Sequence, residues 1–239
     1  MFLTVDGVTI HYEKRGKGRP IFLVHGWGGS SKSLEKLGSL LATHFTVILP
    51  DLPGFGQSDT PPQNWGVDEY AQMLTKLSER LGFKTINYFG HSFGGSLGIC
   101  IASQPDTPIN RLILCNSSYQ RKTSRNILTK IFFWIPRPIK RILYRIFFRH
   151  SDMYRYPELE PNFRLIMKHD LTPRLANIHA ETMIVWSQND QTTYINLAHK
   201  LNHEIKKSIL RIVPNTIHNL PIREPELVYK EIIKWYGIS

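Results

Sequence analysis

Two periods of apolar residues alternate along the first half of this chain. Short apolar runs at residues 9–12, 21–24, 46–49, 86–89 and 111–115 have the length and β-branched or aromatic content of strands. Between them lie stretches with helical spacing. Leu34, Leu37, Leu40 and Leu41 predict a helix over 33–41, and Tyr70, Leu74, Leu77 and Leu81 predict another over 68–81, stopped by Gly82. A third helix is predicted over 93–103. From Ser117 the rhythm stops, and it resumes with a strand at 182–186, a helix near 194–202, a strand at 208–213 and a closing helix over 224–235. Buried apolar strands alternating with helices predict an α/β domain, a mostly parallel sheet with helices on both faces. The interval without rhythm is an insertion into that domain.

Composition narrows the class further. The chain has 239 residues, 41% of them hydrophobic and 21% charged, which suits a folded domain with a sizeable core. Two cysteines, Cys100 and Cys115, are too few for a disulfide framework. The N-terminus enters a strand pattern without a basic start and long apolar block, and no run reaches a membrane span, so a cytoplasmic location is expected. The formal charge of +11 is local in origin. Nine Lys or Arg and no Asp or Glu fall between Tyr119 and His150, while the remaining basic residues nearly balance the 19 acidic ones. No nucleic-acid partner is therefore expected; one basic segment suits a specific anionic contact.

The sharpest chemical signal is Gly90-His91-Ser92-Phe93-Gly94, a G-x-S-x-G pentapeptide between a predicted strand and a predicted helix. A serine at such a turn sits in strained backbone, and glycines two positions to either side remove Cβ clashes. Its hydroxyl needs a base, and the base needs an orienting carboxylate. The expected chain order is serine, acid, histidine. Asp190, four residues beyond Trp186, and His218, after the last predicted strand, meet that order. His199 and His203 share one helix face but lack an evident third ligand, so no metal site is expected. The oxyanion of a tetrahedral intermediate needs two backbone donors. Phe93 N–H is one candidate, and Trp27 N–H in the loop His25-Gly26-Trp27-Gly28-Gly29 is the other.

With HGWGG, DLPGFGQSD, GHSFGG, the Asp190 loop and His218, the chain resembles the α/β-hydrolase superfamily. The resemblance implies an eight-stranded, mostly parallel sheet with a helical cap inserted after the sixth strand. That divides the chain into a core of residues 1–117 and 179–239 and a cap of residues 118–178. It also implies a Ser92–His218–Asp190 triad and no cofactor. A serine at the elbow speaks against the haloalkane dehalogenases and epoxide hydrolases, which use Asp there. Asn116 ends the sixth strand, where some related enzymes carry their acid. Ser187 and Ile217 stand where glycines are common in the family.

Within the cap, RNILTKIFFWIPRPIKRILYRIFFRH predicts two amphipathic helices broken by Pro136 and Pro138. Arg137, Arg141, Arg145 and Arg149 form a basic stripe, and Phe132 and Trp134 are aromatic contact candidates. The stripe is a solvated face, a dock for an acidic partner, or a contact with an anionic membrane. The chain is similar to small pimeloyl-carrier-protein methyl ester esterases, a resemblance that implies an acidic carrier protein. A serine carboxylesterase acting on an acyl or apolar ester is the expected function. A thioesterase, a C–C hydrolase or a cofactor-free synthase would use the same triad. An idle hydrolase-fold protein that binds through its basic cap is the alternative of another class.

Overall fold

The computed structural model describes residues 1–120 and 155–238. Eight strands form one sheet: β1 Phe2–Val5, β2 Val8–Arg15, β3 Arg19–Val24, β4 Phe45–Pro50, β5 Ile86–His91, β6 Ile109–Cys115, β7 Glu181–Ser187 and β8 Ser208–Val213. Their spatial order is β1-β2-β4-β3-β5-β6-β7-β8. The β1–β2 and β2–β4 pairs are antiparallel and every other pair is parallel. β1 falls within the N-terminal strand pattern, which did not separate it from β2. It is only four residues long, and it pairs with β2 through a turn in which Asp6 (φ 48°) and Gly7 (φ 81°) both take left-handed backbone.

Side chains on the central strands alternate between two cores. Phe22, Val24, Tyr88, Leu112, Leu114, Ile184 and Trp186 face one, together with α2 (Val67–Arg80), α3 (Phe93–Ala102) and α5 (Ile195–Glu204). Ile21, Leu23, Phe89, Ile113, Met183 and Val185 face the other, with α1 (Glu35–Leu41) and α7 (Pro225–Tyr236). Strands coated on both sides must be apolar at consecutive positions, which explains why they appear in the sequence as solid runs. The closing helix lies where it is predicted, with Glu224 as its N-cap. Pro225 starts α7, and a separate turn of helix, α6 (Leu220–Arg223), precedes it.

The chain leaves the sheet after β6 and returns at β7. Of the interval between, the structure describes a 3-10 turn at Pro157–Leu159, helix α4 (Glu160–Lys168) and a 3-10 segment Thr172–Asn177. Leu159, Ile166, Leu171, Leu175 and Ile178 are buried in the first core. A bidentate pair between Arg174 and Asp68 ties this part to the start of α2. Phe132, Trp134, Arg137, Arg141, Arg145 and Arg149 lie outside the described residues. No helix among the described residues is long and apolar enough to cross a membrane.

Candidate active site

Parallel strands order their carboxyl ends along one edge of the sheet, and β5, β7 and β8 each deliver one group there. Ser92 follows β5 with φ 51° and ψ −112°, a backbone that a non-glycine residue occupies only under constraint. The constraint is visible in its bonds. Its N–H donates to the Cys115 carbonyl at 3.1 Å, and its own carbonyl accepts from Ser118 N–H at 3.1 Å and Gly95 N–H at 3.0 Å. The flanking glycines are sterically required. A Cβ on Gly90 would stand 2.4 Å from the Gly94 carbonyl oxygen, and one on Gly94 would stand 2.3 Å from that of Val24.

His218 and Asp190 meet Ser92 in a line. His218 Nε2 lies 3.1 Å from Ser92 Oγ, and His218 Nδ1 lies 2.8 Å from Asp190 Oδ2. A carboxylate accepts only, so Nδ1 carries the hydrogen and Nε2 is left to accept from the serine. The Asp190 side chain is wholly buried, whereas that of His218 keeps 19% of its surface exposed. Burial by itself would raise the Asp190 pKa, but hydrogen bonds from His218 and Thr193 outweigh it and hold the acid at about 2. Asp190 Oδ1 accepts the amides of Thr192 at 2.7 Å and Thr193 at 2.8 Å, while Oδ2 accepts Thr193 Oγ at 2.7 Å and Asn116 Nδ2. Thr193 and Asn116 are the participants that sequence reasoning missed. Asn116 was noted only for its place at the end of the sixth strand, and Thr193 stands in no recognisable pattern, although a threonine three residues after an aspartate is a common local donor.

The loop after β3 abuts the serine from the other side. The Cβ position of Gly26 lies 3.1 Å from Ser92 Cβ and 3.3 Å from His91 Nδ1, so any side chain here would press on the nucleophile and its neighbour. The loop is held by His25, whose Nδ1 donates to the Gly26 carbonyl at 2.7 Å and whose Nε2 accepts Leu52 N–H at 3.0 Å. Burial pushes the His25 pKa down to about 4, and this neutral tautomer is the one that both bonds require. Burial likewise lowers His91 to about 4, assisted by the nearby His218; its Nε2–H donates to the His218 carbonyl at 2.9 Å.

The rings of Trp27 and Phe93, whose backbone amides are the two candidate oxyanion donors, pack together with centroids 5.6 Å apart. As the first residue of α3, Phe93 has a backbone N–H with no partner inside the helix. The Trp27 ring also packs on Phe55 at 4.9 Å and on Phe163 of α4 at 5.2 Å. Tyr156 O–H reaches the Gly28 carbonyl at 3.4 Å, so residues before and within α4 lie over this loop. The result is an aromatic cluster near a partly exposed serine, with Phe55 and Phe93 buried and Trp27, Tyr156 and Phe163 partly exposed. His199 and His203 both sit on α5, and no cluster of three or more metal-ligating side chains occurs among the described residues.

Comparison with known proteins agrees with this architecture. The family model for the alpha/beta hydrolase fold matches residues 19–135. The uncharacterized hydrolase YugF of Bacillus subtilis is 27% identical over 96% of this chain and 94% of its own. A 2-hydroxy-6-oxo-6-phenylhexa-2,4-dienoate hydrolase of Burkholderia cepacia is 24% identical over 90% of this chain and 86% of its own. The uncharacterized protein Rv2715 of Mycobacterium tuberculosis is 37% identical, but over 48% of this chain and 34% of its own length. Among solved structures, the enol-lactonase of Burkholderia xenovorans superposes with a TM-score of 0.81 at 19% identity, covering 99% of this chain and all of that one.

Proposed function

This chain has the α/β-hydrolase fold, and on that premise we propose that it is a serine hydrolase of carboxylic esters with an apolar acyl group. The observation that carries the proposal is the unbroken line from Ser92 Oγ through His218 to Asp190, at 3.1 and 2.8 Å, starting from a partly exposed serine on a strained turn. Ser92 Oγ attacks the ester carbonyl while His218 Nε2 takes its proton. The buried Asp190 keeps the imidazole oriented and stabilises it once it is charged. The Phe93 and Trp27 amides meet the developing oxyanion, a pair of donors each worth about 3 kcal/mol of barrier. Collapse expels the alcohol, which receives the proton from His218. A water molecule, deprotonated by the same imidazole, then releases the acid. The partly exposed rings of Trp27 and Phe163, packed on the buried rings of Phe55 and Phe93, favour an apolar acyl chain over a sugar or charged peptide.

A second reading has a specific observation behind it. The Burkholderia cepacia relative aligned over most of the chain is a hydrolase of a hydroxy-oxo-dienoate, which makes carbon–carbon hydrolysis by the same residues the competitor. Hydrolysis of p-nitrophenyl esters from two to twelve carbons, alongside 2-hydroxy-6-oxo-6-phenylhexa-2,4-dienoate, separates the two. A chain-length optimum with ester turnover far above dienoate turnover is expected, and Ser92→Ala should abolish it. The reverse preference establishes the competitor, and an active Ser92→Ala removes the nucleophile assignment. We assign the basic stripe of residues 137–149 to an anionic acyl-bearing partner. Arg141→Glu with Arg145→Glu should then slow turnover of a carrier-bound ester and spare free p-nitrophenyl esters; equal rates on both would remove that assignment.

A further inference from the structure

Directly past β6, Asn116 is wholly buried and takes φ 46°, a left-handed conformation that asparagine tolerates better than most residues. Its N–H donates to the Val185 carbonyl of β7 at 3.1 Å, which anchors the residue between the two strands. Its side chain donates through Nδ2 to Asp190 Oδ2, the same oxygen that faces His218 Nδ1. A carboxylate offers no hydrogen, so the amide nitrogen must point this way and Oδ1 must point the other. There Oδ1 meets Ser187 Oγ at 3.3 Å and Cys115 Sγ at 3.6 Å. Ser187 Oγ also reaches the Ile217 carbonyl at 2.8 Å, one residue before His218. Its single hydrogen serves one acceptor at a time, and the Ile217 carbonyl is the nearer. Behind the site, therefore, Asn116 ties the end of β6 to the acid, Cys115 S–H is left as the donor to its Oδ1, and Ser187 ties the end of β7 to the loop that carries the base.

We propose that Asn116 is the positioning residue of the site, with Ser187 beside it anchoring the loop of the base: Asn116 holds Asp190 against His218 and sets the pH range over which the base is free to act. The inference rests on the Ser92–His218–Asp190 reading. The titratable groups facing Asp190 are His218 from the β8–α6 loop, His91 at the end of β5 and Cys115 at the end of β6. Asn116 adds a donor to this set without adding a charge. An aspartate of the same shape would place a second carboxylate beside the imidazole, and the two acids would share a proton or bind the imidazolium more tightly.

The test follows kcat, KM and the pH dependence of kcat/KM on p-nitrophenyl butyrate for Asn116→Asp, Asn116→Leu and Ser187→Ala, with melting curves for each. Asn116→Asp should move the acid limb upward by about half a pH unit or more. Asn116→Leu, similar in volume but without a donor, should lower kcat about tenfold with KM little changed. Ser187→Ala should do the same more weakly, roughly two- to fivefold. A folded Asn116→Asp with the wild-type acid limb, or an Asn116→Leu with wild-type kcat, overturns the inference even if the melting point falls. Should neither Asn116 variant fold, a Ser187→Ala enzyme with wild-type kcat overturns it. Ser92→Ala in the same assay separates the two levels. If it stays active, the triad reading falls and takes this inference with it; if it is dead while the Asn116 variants are normal, only the inference falls.

Discussion

Two histidine–aspartate pairs in this molecule have the same geometry and different surroundings. His11 Nδ1 stands 2.8 Å from Asp51 Oδ2, and His218 Nδ1 stands 2.8 Å from Asp190 Oδ2. Both aspartates are buried, and in both hydrogen bonds overcome the burial that would raise their pKa. The pairs differ at the far nitrogen. His11 Nε2 faces the Gln57 side chain at 3.4 Å, beside the ring of Phe2, whereas His218 Nε2 faces the hydroxyl of a partly exposed serine. They differ also in what the carboxylate holds. Asp51 gathers the amides of Ser31 and Gln57 and so closes the turn-rich loop after β4. Asp190 gathers donors that serve one imidazole. A short His–Asp distance is therefore no evidence of chemistry; what the second ring nitrogen meets decides it.

Removing each charge in turn breaks the comparison most sharply. Asp190→Asn should leave the fold intact and cost on the order of a thousandfold or more in kcat, because the amide imposes the wrong imidazole tautomer. Asp51→Asn should do the opposite: about 2–3 kcal/mol of stability lost, a melting point lower by roughly 5–10 °C, and near-normal kcat per folded molecule. Parallel activity and calorimetry on the two variants check both, and a large kcat loss in Asp51→Asn would erase the distinction.

Acidity sharpens the comparison at the next level. His25 and His91 are held neutral to about pH 4 in the folded chain, while unfolded imidazoles take up protons near pH 6.5. Between those values the unfolded state binds more protons, so stability should fall as pH drops from about 6.5 to 4, by up to about 3 kcal/mol per histidine. For Asp190, depressed to about 2, the sign is that of an acid: its contribution is present above about pH 4 and is lost as pH falls towards 2. Urea midpoints across this range should slope accordingly, and His25→Gln should make the upper slope shallower. An unchanged slope would mean that His25 is not a source of the acid sensitivity.

The smallest contrast concerns two glycines. Gly26→Ala presses a Cβ to 3.1 Å from Ser92 Cβ and should lower kcat/KM by about tenfold with a modest change in melting point. Gly56→Ala puts a Cβ 2.1 Å from Asp51 Oδ2 at a positive φ, and should lower stability with little change in kcat. Equal effects of the two substitutions on kcat would show that the Asp51 loop also shapes the site.

The strands coated on both faces were legible in the sequence as solid apolar runs, because local pattern must match two cores at once. Ser92 was legible because its turn demands glycines at fixed positions, and Asp190 and His218 because chain order orders the strand ends. β1 was not legible as a strand of its own, being a four-residue edge strand with little pattern to distinguish it from its turn. Nor was the role of Asn116, Thr193 and Ser187, which looks like ordinary loop polarity in one dimension. Cys115 stands opposite Val185 in the parallel β6–β7 register, and that pairing alone brings Asn116 beside the end of β7 and the acid loop that follows. Ser187 and Ile217, two departures from a familiar pattern when taken singly, turn out to be joined by a hydrogen bond. Sequence by itself determined which residues are the candidates for the chemistry, through steric and periodic constraints that are local. Only the tertiary structure decided what holds those residues to one another, since hydrogen-bond partners 71 to 74 positions apart are chosen by strand register and not by spacing along the chain.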